Sequence, residues 1–194
     1  MIPPLPFTLV QLGDRTQMHR LLLAALTLLL TSIGQPASAD DAETCHKASG
    51  AVALAACDRA IESHAFTGVD LAKLHTSRGV ERRRAGNLDG AIADYDTAIK
   101  LNPNDQFAFN NRANLWRDKG DLDRAIADYT EALRIDPGYT AVYVNRGLVH
   151  ERRNEIALAR ADYQRALELP PKHPNGPGGQ DMARKRLAAL SKGP

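Results

Sequence analysis

The stretch AIADYDTAIKLNP, residues 91–103, returns almost unchanged as AIADYTEALRIDP, residues 125–137, which begins 34 residues later. A weaker third copy, ARADYQRALELPP, occupies residues 159–171 at the same spacing. Alanine, aspartate, tyrosine and proline positions agree in all three copies. Because so many separate positions agree at one period, the chain contains a structural repeat of 34 residues.

Each copy carries two helical patterns joined by a short turn. The apolar residues in the second helix of the first copy fall on one helical face, at Leu88, Ala91, Ile92, Tyr95, Ala98 and Ile99. The turns read AGN, KGD and RNE. Gly86 and Gly120 suit the left-handed backbone that ends a helix, and the Asn87 and Asp121 that follow are typical N-cap residues.

Small residues recur at one position of the first helix, as Gly79, Ala113 and Gly147. They allow the second helix to approach closely, and its tyrosine fills the space beside them. A pair of helices this short cannot bury its apolar face alone. We therefore predict that the three pairs stack and share one continuous core.

The pattern resembles the tetratricopeptide repeat family, which has 34-residue helix–turn–helix units with a small residue, alanines, an aromatic residue and a proline at the positions seen here. The resemblance implies an all-α fold, a right-handed superhelical solenoid. It places the copies at residues 72–105, 106–139 and 140–173, so that the repeats together span 72–173.

The copies depart from the family pattern at the seventh position, where leucine is usual and arginine stands, as Arg78, Arg112 and Arg146. These arginines recur in step with Asp94, Asp128 and Asp162. An arginine can bury its methylene chain while its guanidinium group stays paired with a carboxylate, so we predict three Arg–Asp ion pairs. The third copy also has Asn154 for the turn glycine and Arg160 for an apolar residue, which predicts looser packing there.

Different segments flank the repeats on each side. Residues 174–194 are predicted to form a Pro/Gly loop, from PPKHPNGPGG, and then a C-terminal capping helix with Ala183, Leu187 and Leu190 on its apolar side. Residues 40–71 are predicted to form an N-terminal helical hairpin, a degenerate copy of the repeat. Such terminal units shield the ends of a stack from water.

Residues 1–39 have the layout of a secretory signal peptide: a basic start at Arg20, an apolar run over residues 21–30, and Ala37-Ser38-Ala39 before the predicted cleavage point. Met18 is an alternative start. The apolar run has ten residues, short of the roughly 18–20 that span a bilayer. We expect an exported chain in the periplasm or outside the cell, without a stable membrane span; an uncleaved anchor is the alternative.

Two cysteines, Cys45 and Cys57, lie in the N-terminal hairpin. In an exported protein an even pair predicts a disulfide, here across the hairpin. The competing hypothesis is a metal site, or a redox-active module, made with His46 and His64. The spacing is not that of a zinc finger, so the sequence predicts neither a metal nor any other cofactor.

No catalytic constellation can be recognised in the sequence, and we predict that the protein is not an enzyme. His75 and His150 fall where a helix packs, which indicates a structural role. The net charge is +2, and residues 1–39 contribute +1 of it (Arg15 and Arg20 against Asp14), which leaves +1. Such a chain has no broad electrostatic footprint for nucleic acid.

The resemblance implies a concave groove lined by the first helix of each repeat. The positions carried over from the family that we select as partner-binding residues are Lys73, Ser77, Arg84, Phe107, Asn110, Asn111, Asn114, Arg117, Asn145, Leu148 and Arg152. The asparagines can donate to and accept from a peptide backbone. Apolar contact would come from Phe107, Val144 and Leu148.

The predicted function is therefore non-catalytic binding of a protein or peptide partner in this groove. Some family members hold the C-terminal carboxylate of chaperones with basic residues at fixed positions. Two of those positions are Ala141 and Asn145 here, so that clamp is not expected. The alternative function is a structural role in self-assembly, through pairing of the stack ends, and the sequence leaves the oligomeric state open.

Overall fold

Nine α-helices and no strand are found in the part of the chain that the computed structural model describes, residues 39–170 and 176–191. The helices are α1 (Ala39–Lys47), α2 (Gly50–Glu62), α3 (Gly68–Arg84), α4 (Leu88–Leu101), α5 (Gln106–Lys119), α6 (Leu122–Ile135), α7 (Thr140–Arg152), α8 (Ile156–Glu168) and α9 (Gly176–Ser191). The predicted signal peptide lies outside the described residues except for Ala39. None of the described helices is long and apolar enough to cross a membrane.

Consecutive helices pair as four antiparallel hairpins, α1–α2, α3–α4, α5–α6 and α7–α8, and α9 packs on α7 and α8. The first helices also touch one another in series, α1 with α3, α3 with α5, and α5 with α7. This arrangement is a stack of hairpins whose first helices share one face. The prediction of an all-α solenoid with a C-terminal capping helix is confirmed.

Two helix boundaries differ from those predicted. Helix α3 begins at Gly68, four residues before the first copy was placed, after Thr67 in extended backbone. Helix α9 begins at Gly176, inside the segment predicted as a Pro/Gly loop. Pro177 is tolerated there because the first turn of a helix leaves its amides unpaired. A Cβ added at Gly179 would lie 3.6 Å from the Cα of Ala141, an ordinary van der Waals distance, so α9 packs against α7 at this point without requiring glycine.

The core of each repeat is a tyrosine packed against a small residue. Tyr95, Tyr129 and Tyr163 are fully buried. A Cβ added at Gly79 would lie 2.6 Å from Cε1 of Tyr95, and one at Gly147 would lie 2.7 Å from Cε1 of Tyr163. The glycines are therefore needed for close helix approach.

The turns between the paired helices also follow the prediction. Gly86 and Gly120 have left-handed φ angles of 80° and 84°, and Asn87 and Asp121 accept the backbone N–H groups of Gly90 and Arg124. Asn154 adopts the same conformation, with φ 60°, as asparagine can do at low cost.

The expectation of looser packing in the third copy is wrong. The core residues Ala159, Tyr163 and Ala166 have no exposed surface. Helix α9 covers this end of the stack, and Arg160 donates to the carbonyl of Leu190 in that helix. The arginine that replaced an apolar residue thus ties the third copy to its cap.

All three predicted Arg–Asp pairs are present. Each is bidentate, with nitrogen–oxygen distances between 2.7 and 3.1 Å, in Arg78–Asp94, Arg112–Asp128 and Arg146–Asp162. Each arginine also donates to the preceding hairpin; Arg112 Nη1, for example, lies 2.6 Å from Asp96 Oδ1. The arginines therefore join neighbouring hairpins as well as the two helices of one hairpin.

The predicted structural histidines are buried in polar contacts. His75 Nδ1 lies 3.0 Å from Asp94 Oδ1, and His150 Nδ1 lies 2.6 Å from Glu155 Oε2. Burial raises the pKa of Asp94, but hydrogen bonds from His75 and Arg78 lower it more, and the net pKa is below its usual value. The carboxylate is therefore held in its charged form.

The N-terminal hairpin has a different core from the repeats. The sulfur atoms of Cys45 and Cys57 lie 2.08 Å apart, which is bonding distance, and both residues are buried. They pack with Ala56 and Ala60 of α2 and with Leu74 of α3. The cysteine pair takes the place that a tyrosine and a small residue occupy in the repeats.

Candidate functional site

The face shared by α1, α3, α5 and α7 carries most of the predicted binding residues. Lys73, Arg84, Phe107 and Arg152 are exposed, and Phe107 is 44% exposed although its ring packs edge-on against Tyr139. The half-buried members are Ser77, Asn111, Arg117 and Asn145. We call this face the groove.

Two of the four asparagines are interior residues. Asn110 and Asn114 are each only 8% exposed. The Tyr129 hydroxyl donates to Asn114 Oδ1 at 2.7 Å, and Asn145 Nδ2 lies 3.5 Å from Asn110 Oδ1. The prediction that all four face a partner is therefore wrong: Asn114 holds Tyr129, Asn110 supports Asn145, and only Asn111 and Asn145 have substantial surface.

The capping helix covers the apolar positions predicted in the third copy. Val144 is buried in a cluster with Tyr163 and Ala183, and Leu148 packs against this cluster. Glu151, on the same helix, accepts a hydrogen bond from Arg186 of α9 at 2.9 Å. Val144 and Leu148 are thus part of the core under α9, and the open groove lies mainly over α1, α3 and α5.

A cavity of about 580 Å³ opens between these three helices. Four predicted residues line it together, Lys73 and Ser77 from α3 and Phe107 and Asn111 from α5. Val80 also lines it, as do four residues around the α4–α5 connection. The cavity is thus the place where the predicted residues converge.

The residue that the sequence reasoning missed is His46 of α1, which also lines the cavity. Its Nδ1 lies 2.8 Å from Ser77 Oγ. Desolvation lowers the pKa of His46, and the charge of Lys73 lowers it further. The signal was present in the sequence: a hairpin stacked on the first repeat must extend the row of first helices by one.

Basic side chains lie near the C-terminal ends of α3, α5 and α7. Arg117 donates to Asp118 at 2.9 and 3.1 Å, and Arg83 lies 3.9 Å from the same carboxylate. Arg152 Nη1 donates to the carbonyl of Arg117 at 3.0 Å, and Arg84 pairs with Glu81. One aspartate is thus shared by two arginines, and this end of the groove has an excess of positive charge.

The metal hypothesis receives no support from the geometry. His46 binds Ser77 on α3, and the cysteine sulfurs face each other. Among residues 39–170 and 176–191, no group of three histidine, cysteine, aspartate or glutamate side chains is arranged to hold a metal ion.

Comparison with known proteins gives a family match. The family model described as "Tetratricopeptide repeat" matches residues 76–140 and 117–174. No curated protein matches the sequence closely enough to count as a relative.

Solved structures share the fold. The first TPR domain of Spaghetti (RPAP3), bound to the HSP90 peptide SRMEEVD, aligns with a TM-score of 0.54 at 24% identity, over 63% of this chain and 97% of that one. The TPR domain of Arabidopsis OM64 aligns at 0.53 and 25% identity, over 61% and 98%. A tetratricopeptide repeat protein from Parabacteroides merdae ATCC 43184 aligns at 0.58 and 23% identity, over 72% and 54%.

Proposed function

The chain belongs to the tetratricopeptide repeat family, and on that premise we propose that it is a non-catalytic scaffold that binds a protein or peptide partner in the groove. The observation that carries the proposal is the cavity between α1, α3 and α5, where side chains from three hairpins converge. A preformed concave surface lowers the ordering cost of binding. The Spaghetti domain, which has this fold, was solved with a peptide bound.

The charges of the groove favour an acidic partner. In this family the groove is lined by the second, fifth, sixth, ninth, twelfth and thirteenth residues of each repeat, which gives eighteen positions in the three copies. Five of them are basic here (Lys73, Arg83, Arg84, Arg117 and Arg152) and two are acidic (Asp118 and Glu151), a net of +3. Complementary charge steers a partner and suppresses wrong ones. Because Ala141 and Asn145 replace the basic residues of the chaperone-tail clamp, the proposed partner is not held by that clamp.

Affinity capture tests this function. The full chain is immobilised and used to capture partners from envelope extract, in parallel with Asn111→Ala/Asn145→Ala. The matched control is Lys100→Ala/Arg134→Ala, two exposed positions on the second helices of the first and second repeats. We expect the groove variant to lose partners that the control retains. An unchanged partner set would contradict the groove assignment.

We also propose that the chain is exported and that Cys45 and Cys57 form a disulfide there. The leader-like segment over residues 1–39 and the bonding distance between the sulfurs support this. Intact-mass analysis without reductant should give a chain that starts at Asp40 and takes up no alkylating reagent. Two alkylated thiols would contradict the disulfide, and a retained leader would contradict cleavage.

A further inference from the structure

The N-terminal hairpin belongs to the binding site as well as to the end of the stack. We propose that α1 is a fourth wall of the groove, held in place by the Cys45–Cys57 bond, and that the cavity behind it receives an apolar side chain from an acid-rich segment of the partner. This proposal rests on the function proposed above, because it specifies how the same groove selects its partner.

Helix α1 depends on its tethers. It has nine residues, and isolated helices shorter than about 12–15 residues are marginal in water. Its one fully buried residue is Cys45.

The His46–Ser77 hydrogen bond joins α1 to the groove and is exposed. Asp41 accepts hydrogen bonds from Arg59 of α2, an ion pair whose arginine is exposed, and Ala42 packs against the cluster around the cysteines. Because exposed pairs of this kind contribute little to stability, we expect the covalent link to α2 to be the main restraint that keeps His46 against the cavity.

Helix α2 is anchored independently of the cysteines. The Gly50 amide donates to Glu81 Oε2 at 2.6 Å, and Ala56 and Ala60 pack with Leu74 of α3. Loss of the sulfur bond should consequently release α1 while α2 and the repeats stay folded. An experiment that breaks the Cys45–Cys57 bond can therefore test the role of α1 in binding while the repeats remain folded.

The lining of the cavity favours an apolar group. Val80 and Phe107 provide apolar surface. Asp105, the acidic residue in the lining, is buried and accepts hydrogen bonds from the Phe107 and Ala108 amides and from the Thr76 hydroxyl. Its charge is thus committed to the start of α5 and is not offered to a ligand.

Basic residues lie on either side of this apolar surface along α3. Lys73 stands at the cavity, and Arg83 follows ten residues later, which is about 15 Å of helix. An extended peptide covers that distance in about five residues. The partner segment should therefore carry one apolar side chain with acidic residues within about five positions of it.

The probe is a capped peptide, acetyl-Gly-Leu-Gly-Glu-Glu-Glu-Gly-amide, titrated into the ¹⁵N-labelled full chain. Two matched peptides replace leucine with serine, or the glutamates with lysines. Blocked ends exclude recognition of a terminal carboxylate. We expect amide shifts at Ser77 and Asn111, and affinity lower by about tenfold or more for each matched peptide.

The protein variants separate the wall from the scaffold. In Cys45→Ala/Cys57→Ala we expect at least about tenfold weaker binding of the leucine peptide, with loss of hydrogen-exchange protection in α1 and retained protection in α5 and α6. His46→Ala, which leaves both cysteines in place, should also weaken binding. The control Arg160→Ala, at the opposite end, should bind as the wild type.

Equal affinity with and without the cysteines would contradict the proposal that α1 is a wall of the groove held by the Cys45–Cys57 bond. Amides of α1 that stay protected without the cysteines would contradict it too. Equal affinity for the leucine and serine peptides would overturn the apolar cavity. Absence of any shift with the leucine peptide would overturn the proposed partner chemistry, whereas groove function is judged separately by the capture experiment with Asn111→Ala/Asn145→Ala.

Discussion

Removal of one tyrosine hydroxyl should lower stability in the second repeat but not in the first. The Tyr129 hydroxyl donates to Asn114 Oδ1 at 2.7 Å, whereas the equivalent Tyr95 hydroxyl is buried and has no hydrogen-bond partner among the described residues. The reason lies in the first helix, where Val80 stands 34 residues before Asn114 and offers no acceptor. We compare Tyr129→Phe with Tyr95→Phe, since each removes a single oxygen from a fully buried ring.

The magnitudes follow from hydrogen-bond energetics. In Tyr129→Phe the amide oxygen of Asn114, which is 8% exposed, loses its partner, and we expect a loss of about 1–3 kcal/mol in the free energy of unfolding. In Tyr95→Phe a buried hydroxyl without a partner is removed, a group whose burial costs about 1–3 kcal/mol in protein mutational data. That variant should match the wild type or exceed it.

Urea unfolding followed by far-ultraviolet circular dichroism measures both changes. A third variant, Val80→Asn, places an acceptor where Asn114 stands in the next repeat. It should stabilise the wild-type background more than the Tyr95→Phe background, and the difference is the coupling energy between the two side chains. Equal losses in the two tyrosine variants, or a larger loss in Tyr95→Phe, would refute this reasoning.

Three further predictions concern the charged pairs. In Arg112→Leu the buried Asp128 loses its arginine, and we expect the free energy of unfolding to fall by about 3–5 kcal/mol. Asp128→Asn should cost less, because Arg112 keeps its ion pair with Asp96. The double variant should lose less than the sum of the two, and additive losses in urea unfolding would contradict the pair. Thr130→Asp, which gives Arg146 a second carboxylate, should add up to about 1 kcal/mol, and no gain at low salt would argue against it. The pKa of Asp94 in the folded state is below its usual value of 3.8. The stability that this carboxylate contributes is therefore present above that pH and is lost as the pH falls through the lowered pKa. Asp94→Asn should lose less stability than the wild type as the pH is lowered, and an equal loss in the two proteins would contradict this.

The repeat spacing predicted much of the fold because backbone geometry and sequence period are tied. A tyrosine that needs a small residue opposite it identifies both helices of a hairpin, and arginines that recur in step with aspartates predicted the ion pairs correctly. Side-chain roles within the groove were harder to predict. Asn110 and Asn114 lie one helical turn apart on the groove side. The Tyr129 hydroxyl on the next helix donates a hydrogen bond to Asn114 and keeps this side chain in the interior. The sequence of the first helix alone does not indicate this contact.

The two ends of the stack determine where the open groove lies. Helix α9 packs over the third repeat and converts Val144 and Leu148 from groove positions into core. At the other end α1 adds His46 beside Ser77 and extends the row of first helices by one. The cap therefore removes groove surface at one end of the solenoid and the N-terminal hairpin adds it at the other. The open groove is displaced toward the N-terminal repeats, where a cavity with apolar surface from Val80 and Phe107 adjoins the arginines of α3 and α5.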